Sequence, residues 1–122
     1  MKVALDPVSA ITVRHVERGA ITIGEEVINE NVVLLRDQIL HDWNANDIQA
    51  LSIADLENVL AHQPEVILLG TGWENCLPPR ELVFALARRG IGLETMDTPA
   101  ACRTFNILVS EERNVAALLF IQ

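Results

Sequence analysis

The stretch Glu65-Val66-Ile67-Leu68-Leu69-Gly70-Thr71-Gly72 decides the fold class. Its four consecutive apolar residues leave no polar face, the pattern of a strand covered on both sides, and such strands belong to sheets flanked by helices. Moving outward, Pro78-Pro79 precedes a helical run from Arg80 to Arg89 that Gly90 closes, with proline at the start and glycine past the end. Gly92 to Met96 reads as the next strand. Thr98 then caps a second helix, with Pro99 at its first position, running to about Ser110. Val115 to Ile121 is the last strand; its unbroken apolar run predicts a central place, because an edge strand needs polar residues. Strand, helix, strand, helix, strand over 65–121 requires crossover connections, and hence a sheet that is at least partly parallel.

Working back from Glu65, Ser52-Ile53-Ala54-Asp55 resembles a capping box with Asp where Glu or Gln is usual. Ile53, Leu56, Val59 and Leu60 follow at helical spacing until Pro64 stops the run. Earlier still the pattern is β. Ile11-Thr12-Val13-Arg14-His15-Val16 alternates, Glu17-Arg18-Gly19 supplies a turn, and Ala20 to Ile23, Val32 to Leu35 and Ile39 to Trp43 are further short strands. Gly24-Glu25-Glu26 and Asn29-Glu30-Asn31 read as polar punctuation between them. The expectation is one α/β domain over residues 1–122: an antiparallel meander in the first half, then βαβαβ.

Composition bounds the function. The chain of 122 residues is half hydrophobic and carries nine Lys and Arg against seventeen Asp and Glu, a net charge of −8. That balance excludes a nucleic-acid partner, which needs a basic face, and disfavours an anionic membrane surface. Mean hydropathy is +0.26, yet the longest apolar run is far short of the ~18 residues of a membrane span, so no insertion is expected. Lys2 is followed by only three apolar residues before Asp6 and Pro7, too few for a secretory leader. Two cysteines, Cys76 and Cys102, make no disulfide scaffold. A cytoplasmic location follows. Residues 1–62 hold ten acids and four bases, net −6, against net −2 for the remainder, so association through the first half is expected.

Four segments together carry a resemblance: Glu65 to Gly72, Arg89-Gly90-Ile91-Gly92-Leu93-Glu94-Thr95-Met96-Asp97-Thr98, Ala100-Ala101-Cys102-Arg103-Thr104-Phe105-Asn106-Ile107-Leu108, and Val115-Ala116-Ala117-Leu118-Leu119. They resemble one small α/β family of unknown function, closely over 65–121 and in outline before it. One mitochondrial branch of that family includes an assembly factor for respiratory complex I, and another branch is associated with adipogenesis. The resemblance implies a three-layer fold with a mixed central sheet and no established catalytic activity. Arg103 stands where the mitochondrial members lack a basic residue, and Glu112 where many members have glycine.

The candidate site comprises Gly70, Thr71, Gly72, Asp97, Thr98 and Arg103. If the strands ending at Leu69 and Met96 are parallel, their following turns share the edge where open α/β sheets bind ligands. Two glycines allow close backbone approach, and helix starts offer free amides to an anion. The turn is neither a dinucleotide fingerprint nor a phosphate loop: Asn75 stands at the third glycine position, and no Gly-Lys-Ser/Thr follows. Its bland counterpart is a sharp turn, with Thr98 and Asp97 serving the helix start. Arg103 and Asn106 share a polar strip on an otherwise apolar helix, so Arg103 is either paired with Asp97 or Glu94 or turned toward a ligand. Cys102 reads as a buried inert thiol, Trp73 as either a rim residue or a loop anchor, and neither cysteine as functional. No metal-ligand spacing, nucleophile motif or cofactor signature is present. Two functions stand: a non-catalytic binding or assembly protein acting through a protein partner or its own copies, or a protein that binds or acts on a small anion.

Overall fold

The computed structural model describes residues 10–122. The segment from Lys2 to Pro7, read above for a leader, lies outside them. Among the described residues eight strands and three helices follow in order: β1 (Val13–Glu17), β2 (Ala20–Ile23), β3 (Glu26–Ile28), β4 (Val32–Leu35), β5 (Ile39–Leu40), α1 (Glu57–Leu60), β6 (Val66–Gly70), α2 (Arg80–Ala87), β7 (Gly92–Met96), α3 (Thr98–Ser110) and β8 (Val115–Leu119). Tight 3-10 turns at Ile48–Ala50 and Ile53–Leu56 precede α1.

The main sheet has the order β5-β4-β8-β6-β7. β8 lies at its centre, as its apolar run predicts, parallel to β6 and antiparallel to β4. β6 is parallel to β7 as well, so Gly70 stands level with both Leu119 and Met96. This is the mixed sheet expected. Every residue of β6 and β8 is buried, whereas β7, on the edge, exposes Gly92 and Glu94.

Alternation along the central strands divides the core between two faces. Leu68, Ala117 and Leu119 point toward α3 and the sheet β1-β2-β3, whose Ile21, Ile23 and Ile28 close that side. Ile67, Leu69 and Leu118 point toward α2 and the 51–60 segment. The result is three layers.

The first half departs from a simple meander. β1, β2 and β3 pair antiparallel, but β4 crosses into the main sheet beside β8, and among the described residues β5 pairs with β4 alone. β4 is buried throughout, so it cannot lie in a half-solvated sheet. β3 forms where Glu26 was read as punctuation; its Glu26 and Val27 face solvent and only Ile28 enters the core. The expected strand at 39–43 stops at Leu40. The Asp55 carboxylate accepts from the Ser52 amide at 2.9 Å, as the capping-box spacing predicts, but the run continues as a 3-10 turn before one turn of α-helix. α2 ends at Ala87, two residues before Arg89; Gly90, at φ +77°, closes the chain reversal. Glu112 holds the turn before β8 at φ +63°, a left-handed conformation that favours glycine.

Candidate functional site

The parallel strands deliver the Gly70–Gly72 and Asp97–Thr98 turns to one edge of the sheet, in contact with each other. Thr98 is fully buried. Its backbone N–H donates to the Gly72 carbonyl at 2.8 Å, its hydroxyl accepts from the Gly72 N–H at 2.8 Å, and the same hydroxyl donates to the Phe120 carbonyl at 2.8 Å. Thr98 therefore joins three segments and does not cap α3. The N-cap is Asp97, whose carboxylate accepts from the Ala100 amide at 2.8 Å. This corrects the reading of Thr98. A helix start offers both residues, and the hydroxyl goes to the buried orphans because water does not reach them.

Gly70 is closely enclosed, so that a side chain there would push its neighbours aside by a few tenths of an ångström. A Cβ there would lie 3.0 Å from the Thr98 hydroxyl, 3.0 Å from a Leu119 methyl and 3.1 Å from Ala101 Cβ. Gly72 adopts φ +90°. Thr71 is buried, its amide bonded to the Met96 carbonyl at 2.9 Å and its hydroxyl to the Glu74 carbonyl at 2.7 Å. The amides of Thr71 and Gly72 thus have protein partners.

Arg103 lies on the exposed face of α3 and makes no ion pair among the described residues, so the expected pairing with Asp97 or Glu94 does not form. Asn106, on the same strip, has a different role: its amide accepts from Val13 N–H and donates to Val13 C=O, both at 2.9 Å. Trp73 is half-buried, with the Arg18 guanidinium 5.6 Å above its ring. Cys102 is buried, and desolvation pushes its thiol up to about 12 against the weaker opposing pull of Arg103. A thiolate nucleophile is disfavoured there. Cys76 is partly buried and receives a hydrogen bond from the Gln49 amide at 3.2 Å.

A second feature escaped the sequence reading. Between β5 and the turn at Ile53–Leu56 lies a cleft of about 320 Å³. Val33, Leu40, Trp43 and Val59 give it apolar walls, and Asp42 and Asp55 stand on its rim. Trp43 is fixed by its indole N–H, which donates to the Asp55 carbonyl at 3.1 Å, and by the Phe120 ring, edge-on at 5.3 Å. Through Phe120 the cleft wall adjoins the Thr98 junction. The available signal was charge: residues 37–79 contain seven acids and no Lys or Arg.

Among the described residues no three His, Cys, Asp or Glu side chains gather as metal ligands, and no helix is long and apolar enough to cross a membrane.

Similarity to known proteins follows these features. The chain is 37% identical over 103 residues to a 13 kDa major membrane protein of Francisella tularensis, covering 84% of this chain and 82% of that one. It is 42% identical over 79 residues to zebrafish (Danio rerio) NADH dehydrogenase [ubiquinone] 1 alpha subcomplex assembly factor 3, covering 63% of this chain and 45% of the relative. The chain thus spans about half the length of the assembly factors it matches. A solution structure from Xanthomonas campestris superimposes with a TM-score of 0.87 at 32% identity, covering 99% of this chain and 92% of that one. The family model described as a protein of unknown function (DUF498/DUF598) matches residues 13–120. This chain belongs to that family.

Proposed function

We propose that this protein is a non-catalytic binding or assembly factor that acts through a protein partner. The observation that carries the reading is the Thr98 junction: the turns that bind ligands in open α/β sheets are here bonded to one another and to Phe120. Relatives named as assembly factors support it at family level. The test is capture of the full chain, tagged and expressed in its native host, followed by identification of what co-purifies. A second polypeptide in fixed stoichiometry is expected; recovery of the chain alone overturns the reading.

The alternative is a small-anion site at Gly70, Thr71, Gly72, Asp97, Thr98 and Arg103, and the exposure of Arg103 one turn into α3 favours it. Titration with inorganic phosphate, followed by NMR at the Gly72 and Arg103 amides, decides: saturable shifts at both support a site, and unchanged spectra remove it. A cytoplasmic location is part of the main proposal and rests on two unpaired thiols and an acidic surface. Fractionation of host cells tests it, and recovery with the membrane pellet overturns it.

A further inference from the structure

We propose that the Trp43 cleft is the docking site for the partner, and that it receives a short peptide segment carrying a large apolar side chain next to Arg or Lys. The inference rests on the assembly-factor reading and names the surface and chemistry through which it acts.

Three observations converge. The cleft volume of about 320 Å³ is at the small end of the ~300–1,000 Å³ that bound small molecules occupy, a size suited to one anchoring side chain. Its walls are apolar and held in place: Trp43 is bonded to the Asp55 carbonyl and packed edge-on against Phe120, so the pocket exists before anything enters it. Its rim is anionic. Asp42 is exposed, Asp55 borders both the cleft and a smaller depression that also holds Asp47 while its carboxylate accepts from the Ser52 amide, and the run 37–79 contains no Lys or Arg to neutralise them. His41, also on the rim, lies 3.3 Å from Glu26. A cationic group beside the anchor is what this field selects. β5 adds a main-chain component: among the described residues it is the outermost strand of the main sheet and borders the cleft, a place where an extended peptide can pair.

The test pans a random twelve-residue peptide display library against the full chain and measures the selected peptides by fluorescence polarisation. Sequences enriched in Leu, Phe or Trp next to Arg or Lys are expected. Their binding should weaken at least tenfold in Asp42→Lys, a surface change that leaves the circular dichroism spectrum intact, and should weaken as salt is raised. Trp43→Ala should abolish binding, but it removes packing too, so Asp42→Lys is the deciding variant. Peptides without basic residues, peptides indifferent to Asp42→Lys, or no enrichment at all overturn the proposal. So does a dimer that Asp42→Lys dissociates, which would assign the cleft to a second copy. Capture from the host, run with both chains, separates the two claims. If both retain the same partner, the cleft is wrong and the assembly reading stands; if the native chain retains none, both fail.

Discussion

Thr98 sits where helix α3 begins, yet its hydroxyl serves residues 26 and 22 positions away, Gly72 and Phe120. Replacing it with valine keeps the shape and leaves a buried N–H and a buried C=O without partners. At ~1–3 kcal/mol for each of the two unsatisfied groups, Thr98→Val should cost about 2–6 kcal/mol, while Thr98→Ser retains the hydroxyl and most of the stability. Urea unfolding of the two variants checks this, and equal losses would show that the methyl group matters instead. Cys102 gives a pH signature. Its thiol ionises near 9.0 when unfolded and at about 12 in the fold because burial disfavours the thiolate. Its stabilising contribution is therefore complete below pH 9. Above that pH, unfolding releases a proton and stability falls until the folded thiol ionises. The chain has no tyrosine, and Lys2 is its only lysine, so few other groups titrate there. Cys102→Ala should show a flatter stability profile between about pH 9 and 10.5 than the native chain; parallel slopes would deny the thiol this role. The misassignment of Thr98 has a physical cause: capping chemistry is local and visible in sequence, whereas the choice between Asp97 and Thr98 as cap depends on orphan groups brought in from two other segments.

At the scale of elements, single asparagines act as fasteners between segments far apart in the chain. Asn106 presents one donor and one acceptor to the backbone of Val13, as a neighbouring strand would, and ties the small sheet to α3. Asn31 does likewise near the other end, accepting from the Ile121 amide at 2.7 Å and donating to the Ala45 carbonyl at 3.1 Å. Asn106→Leu should destabilise the protein by about 2 kcal/mol, from two lost hydrogen bonds. It should also raise amide exchange in β1 to β3 well before β6 or β8. Uniform acceleration would mean that the small sheet does not open separately. The turn before β8 makes the opposite case. Glu112 occupies a left-handed conformation that costs a side chain roughly 1 kcal/mol. Glu112→Gly should stabilise by up to about that amount, read as a rise in urea midpoint with unchanged slope. The resemblance implies glycine at this position, and a φ of +63° is the conformation that glycine adopts without strain. β3 was illegible for a related reason: two of its three residues face water, so only pairing with β2 makes them a strand.

For the whole molecule, a net charge of −8 with a long segment lacking Lys and Arg means self-repulsion in the folded state. The Glu65–Arg113 pair, at 2.6 Å, is an exception; the guanidinium holds the Glu65 carboxyl below its ordinary range. Raising NaCl from about 10 to about 200 mM should therefore raise the thermal midpoint, by the same amount with sodium sulfate at equal ionic strength. A falling midpoint would show that surface pairs outweigh the repulsion, and a response to sulfate alone would point to a specific anion site. The sequence by itself determined the second half: buried strands read at Val66–Leu69 and Val115–Ile121, which the structure bounds at Val66–Gly70 and Val115–Leu119, crossover helices between them, and a central last strand. A run with no polar face can be satisfied only between two strands and under two layers. It also located the two turns that meet at one edge. Only the tertiary structure decided that those turns close on each other through Thr98, that β4 leaves the meander for β8, that Arg103 stands in solvent, and that Trp43 walls a cleft with an acidic rim. Each of those outcomes depends on groups far apart in the chain competing for the same buried hydrogen bonds and the same apolar surface. Local pattern carries no record of which partner wins.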